Sequence, residues 1–85
     1  MKCLIDRTTP VYREIKNKEI YFIMTAADDE KSNFARTLEA FRGFTEDCLD
    51  GTVEKGIICG GGVWNAGEVK STPAYDEAYL MGKNV

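Results

Sequence analysis

Hydrophobic positions in this chain follow two patterns, and each predicts a different element. Ile20-Tyr21-Phe22-Ile23-Met24 is an unbroken apolar run with no solvated face. It predicts a strand covered on both sides, as in a parallel sheet flanked by helices. The run ends abruptly in Thr25-Ala26-Ala27-Asp28-Asp29, small residues followed by two carboxylates. In open α/β sheets, ligands sit beyond the carboxyl ends of the strands, so this mouth is the first place to look for function.

The second pattern is spaced. Phe34, Leu38, Phe41, Phe44 or Thr45, and Cys48 recur every three or four residues, which predicts one face of an amphipathic helix. Ser32 or Asn33 stands at its cap, the carboxylates upstream favour its positive end, and Asp50-Gly51 closes it. Gly43, near its middle, costs about 1 kcal/mol relative to alanine, which points to close packing there. Val53–Cys59 reads as a second strand around Ile57 and Ile58, ended by Gly60, Gly61 and Gly62. Val63–Lys70 reads as an extended or hairpin-like excursion. Thr72 then caps a last helix with Pro73 at its first position, and Ala74, Ala78, Met81 and Val85 face the core.

Upstream of the first strand, Leu4 and Ile5 among Lys2, Asp6 and Arg7 look like the tail of a helix, which Thr9-Pro10 stops. Arg13 to Lys18 follows as a loop, with Ile15 turned inward. The order is helix tail, strand, helix, strand, helix: a βαβ unit with a right-handed crossover and one further helix. Two strands make an incomplete sheet.

Composition narrows the chemistry. The 85 residues allow one domain, and a chain this short buries only about 60 to 65% of the surface its unfolded form exposes. At 44% hydrophobic and 29% charged it is of ordinary globular composition. No apolar run nears the roughly 20 residues of a membrane span, and Met1-Lys2-Cys3-Leu4 leads into charge rather than a signal-peptide core. These features predict a cytoplasmic protein with no membrane partner. A net charge of −3 with acids and bases interspersed leaves no basic stripe for nucleic acid. Cys3, Cys48 and Cys59 lie far apart and there is no histidine, so neither a zinc site, a disulfide framework nor a histidine-based acid/base catalyst is indicated. The cysteines read as small buried hydrophobes.

Several stretches carry two readings. Gly60-Gly61-Gly62 could cradle a phosphate, but it fits no phosphate-loop fingerprint and is more simply a glycine bend. Asp28-Asp29-Glu30 could hold Mg²⁺, or could simply complement a helix dipole. Trp64 could stack on a planar ligand or a partner, or cap the sheet edge; Tyr75 and Tyr79 form the outer shoulder of the last helix.

Taken in order, Leu4–Thr8, Thr25–Asp29, Thr37–Phe44, Gly62–Lys70 and Thr72–Asn84 resemble the C-terminal half of flavodoxin-like NAD(P)H-dependent FMN reductases, and are similar to the related iron–sulfur flavoproteins. The likeness covers nearly the whole chain. It implies a single truncated flavodoxin-like domain over residues 1–85: a partial three-layer α/β fold of order βαβα, its parallel strands equivalent to the last two of a sheet ordered 2-1-3-4-5. It also implies that Thr25, Ala26, Ala27 and Asp28 lie at the edge of an FMN ring, with Thr25 and nearby amides offering hydrogen bonds, and that Trp64 flanks the same mouth or a subunit contact. The Ser/Thr-rich loop that holds the FMN phosphate in that family, and the cysteine cluster of its iron–sulfur members, have no counterpart in this sequence. FMN binding by this chain alone is therefore expected to be weak or absent, and no catalytic residue is assigned. A non-catalytic half-domain working through self-association or pairing with another chain is the competing reading. Because the resembled sheet places a further strand beside Ile20–Met24, that edge predicts a homo-oligomer.

Overall fold

The computed structural model describes residues 1–85, the side chain of Lys31 excepted. Helix α1 spans Lys2–Thr8, strand β1 Glu19–Thr25, helix α2 Ala35–Thr45, strand β2 Val53–Gly60 and helix α3 Pro73–Lys83, with short 3₁₀ segments at Thr9–Glu14, Lys31–Phe34 and Glu68–Ser71. The strands pair in parallel from Glu19↔Val53 to Thr25↔Gly60. Lys55 is the extra residue of a bulge between the Ile20↔Glu54 and Tyr21↔Gly56 pairs. The chain is thus a mixed α/β unit with a two-stranded parallel sheet and three helices.

Residues paired in register share a face. Phe22 and Met24 lie with Ile57 and Cys59 on one side; Tyr21, Ile23 and Thr25 lie with Gly56, Ile58 and Gly60 on the other. Helix α2 covers the first side at β1, where the rings of Phe22 and Phe41 stack with centroids 5.8 Å apart. Helix α3 covers the second side at β2. A Cβ on Gly56 would collide with Met81 Sδ, and one on Gly60 would sit 3.5 Å from the Ala74 methyl, so the two glycines draw α3 onto β2.

The coverage is therefore diagonal, and this corrects the expectation of a strand enclosed on both sides. Phe22, Met24 and Ile58 are buried, but Ile23 is 62% exposed because α3 lies over the neighbouring strand. The core consists of Phe22, Met24, Phe34, Leu49, Ile58 and Ala74. A fully buried large apolar side chain contributes about 1.5–3 kcal/mol. Here none of the described side chains is fully enclosed, so the gain per residue is at the lower end.

Other local expectations also change. Helix α1 ends at Thr8, as Thr9-Pro10 predicts, but the chain continues as a 3₁₀ segment with Pro10 in its first turn, where its missing N–H has no partner to lose. Helix α2 stops at Thr45, so the periodic position Cys48 is exposed and Leu49 turns inward instead. The turn is held by the Thr52 hydroxyl donating to the Thr45 carbonyl at 2.6 Å, and Gly51 adopts φ +67°. Gly43 faces open space rather than a close neighbour. Cys3 is exposed and Cys59 half-buried, so none of the three cysteines is a core residue. Residues 63–70 form a compact turn instead of a hairpin, and Val85 is exposed. Thr72 occupies the cap position of α3, yet its hydroxyl donates back to the Val69 carbonyl at 2.6 Å.

Candidate functional site at the mouth of the sheet

Both strands end at the same side of the molecule, and the loops that leave them are stitched together. The Ala26 N–H donates to the Gly60 carbonyl at 3.0 Å, the Val63 N–H to the Ala26 carbonyl at 3.1 Å, and the Gly62 N–H to the Asp28 carbonyl at 3.4 Å. Gly61 lies at the tightest point of this seam. A Cβ there would stand 2.8 Å from the Asp28 carbonyl oxygen and 3.0 Å from Asp29 Cα, so only glycine lets the two backbones approach. The triple glycine thus acts as a backbone seam, with two of the amides a phosphate cradle would need already engaged.

Asp28 is used locally. Its Oδ1 accepts the Glu30 N–H at 2.9 Å and its Oδ2 accepts the Asn33 side-chain amide, which fixes the turn leading into α2. Ser32 and Asn33 provide no side-chain cap for that helix; Asn33 braces Asp28 instead. Among the described residues no group of three or more His, Cys, Asp or Glu side chains is placed to hold a metal ion.

Beside the seam is a pocket of about 290 Å³ between the end of β1 and the start of α2. Thr25, Ala26 and Asp28 line one side; Asn33, Phe34 and Thr37 line the other. Ala27 does not line it. Of the four residues expected here, Ala26 spends both backbone groups in the seam and Asp28 both oxygens in the turn. Thr25 remains available. Alternate residues of a parallel strand bond to the same neighbour, so with Ala26 directed at β2 the backbone groups of Tyr21, Ile23 and Thr25 point to the open side of β1. Thr37, an exposed residue of the other wall, was not singled out by the sequence because it lies one position off the apolar stripe of α2.

A second depression, of about 410 Å³ and mostly apolar, runs along the open edge of β1 beneath α1. Met1, Leu4 and Ile5 from α1 and its flank meet Ile20, Ile23 and Phe44 there, and Ile15 turns into the same groove as expected. The two depressions share Ile23, Met24 and Phe41 in their walls.

Trp64 does not line the mouth; the residue is 79% exposed. Its backbone N–H donates to the Glu68 carboxylate at 2.7 Å, and the Asn65 side-chain amide donates to the same group at 2.8 Å. These hydrogen bonds, the Trp64 one foremost, hold the Glu68 carboxyl below its usual pKa. On the α2 side of the sheet, the Arg42 guanidinium bridges Glu54 on β2 and Glu39 on α2, each at 2.8 Å, and is held above its ordinary pKa by them. Tyr75 and Tyr79 are exposed on α3, as an outer shoulder requires.

No family model, curated protein or solved structure matches this chain. Among the described residues, no helix is long and apolar enough to cross a membrane.

Proposed function

We propose that this chain supplies the ring-binding part of a flavin site, as the C-terminal half of a flavodoxin-like, cytoplasmic NAD(P)H-dependent FMN reductase. The observation that carries this reading is the pocket at the carboxyl end of β1, lined by Thr25, Phe34, Thr37 and Phe41. An apolar slot with a few polar groups at its rim suits a planar heteroaromatic ring, and its place at the end of a parallel strand is where open α/β sheets bind ligands. FMN, when bound, supplies the redox chemistry. The residues here position the ring: Thr25 offers hydrogen bonds at its edge, while Asp28 and the glycine seam keep the loop in shape.

Titration of FMN and riboflavin, followed by flavin fluorescence, tests this. Residues 1–85 contain no phosphate-holding loop, so both ligands are expected to bind weakly and alike, with Kd on the order of 1 mM. Quenching of neither would overturn the reading. FMN bound more than about tenfold tighter than riboflavin would contradict the assignment of these residues to the ring alone. The open edge of β1 favours a second reading, a non-catalytic half-domain that works by pairing with itself or another chain.

A further inference from the structure

We infer that the open edge of β1 is closed by β1 of a second copy, paired antiparallel about a two-fold axis at Phe22. This inference stands on the edge and its flanks rather than on the flavin reading, and it takes up the outward Thr25 backbone groups, leaving only the Thr25 side chain to a ligand.

Glu19, Tyr21, Ile23 and Thr25 direct their backbone groups away from β2, as the ladder through Val53 N–H to Lys18 O and Ala26 N–H to Gly60 O requires. Two such edges hydrogen-bond only in registers that set these residues opposite one another. Centring the axis on Phe22 uses the whole strand. Glu19 then faces Thr25, and Tyr21 faces Ile23, of the other copy, forming about eight backbone hydrogen bonds. On the helix α2 side Ile20 meets Met24 and Phe22 meets its own counterpart, filling the groove beneath Leu4 and Ile5. On the opposite side Tyr21 covers Ile23, which is 62% exposed in the single chain.

Charge selects this arrangement over a parallel one. Lys16 and Lys18 precede β1, while Asp28, Asp29 and Glu30 follow it. The antiparallel register brings the basic flank of each copy to the same end of the strand pair as the acidic flank of the other. A parallel, in-register pair would set Lys16 beside Lys16 and leave no closed symmetry. No proline or charge interrupts Ile20–Met24 to discourage pairing.

The test is sedimentation equilibrium over a dilution series, together with residue-resolved hydrogen exchange on the same 85-residue chain. The expected species has twice the 9.5 kDa chain mass, with the amides of Tyr21, Ile23 and Thr25 protected as well as those of Phe22 and Met24. Ile23→Pro removes only an edge-facing N–H, so β1 keeps its ladder to β2 while the dimer weakens about thirtyfold or more. A monomer at micromolar concentration, an open series of larger species, or fast exchange at the three odd-numbered amides would each overturn the inference. The exchange result decides even if Ile23→Pro does not fold.

Discussion

Replacing Gly61 by alanine tests the seam at the mouth of the sheet. The added Cβ would stand 2.8 Å from the Asp28 carbonyl oxygen and 3.0 Å from Asp29 Cα, well inside the 3.4 Å at which ordinary contact begins. Both neighbours are backbone rather than the end of a flexible side chain, so the loops must separate. The bonds at risk are Gly62 N–H to Asp28 O and Val63 N–H to Ala26 O. At about 1 kcal/mol for each bond, and with overpacking costs of the same order, the loss is about 1–3 kcal/mol. For a chain of this length each kcal/mol moves Tm by roughly 4–8 °C. Urea and thermal unfolding followed by far-ultraviolet circular dichroism measure the change. Gly43→Ala is the matched control, since its Cβ meets nothing within 4 Å in the middle of α2, and it is expected to stabilise by about 0.5–1 kcal/mol. A Gly61→Ala protein as stable as the parent, or two glycine variants that shift in the same direction, would refute the seam.

Two further outcomes follow from single contacts. Phe22→Ala removes a buried ring stacked on Phe41 and is expected to cost about 3–5 kcal/mol, so chemical unfolding should begin without a native baseline; a cooperative transition within about 1 kcal/mol of the parent would show that this core is not the principal one. Glu68 has its folded pKa depressed, so its contribution to the Trp64 turn is fully present above the ordinary carboxyl value of 4.5 and is lost as pH falls through the lower folded value. Trp64 is the sole tryptophan, and its emission should be constant from neutral pH down to 4.5, change below it, and lose that transition in Glu68→Gln; a midpoint above 4.5 would contradict the hydrogen-bonded carboxylate.

Much of the architecture was legible because it is written in local patterns. Ile20–Met24 and Val53–Cys59 could be read as strands from their apolar runs, and Thr72-Pro73 marked the start of α3. What covers each strand was not legible. The exposure of Ile23 depends on where α3 lands, and that is set by the absent side chains at Gly56 and Gly60, more than thirty residues away in sequence. Period alone extended α2 to Cys48, whereas the Thr52 hydroxyl and the positive φ of Gly51 turn the chain early and give the core position to Leu49. At the site, the sequence located Thr25 and Asp28 correctly at the mouth but could not separate their roles. Asp28 accepts from the Glu30 N–H and the Asn33 side-chain amide, a local use that only the hydrogen bonds reveal.

Chemical-shift mapping with riboflavin addresses the flavin reading most directly, since it needs no phosphate anchor and reports by residue. Millimolar riboflavin is expected to shift the amides of Thr25, Asp28, Asn33 and Thr37 at the pocket, with smaller changes at Ala27 and none at Trp64. Shifts absent altogether, or concentrated on Trp64, Tyr75 and Tyr79, would contradict a ring site at the end of β1.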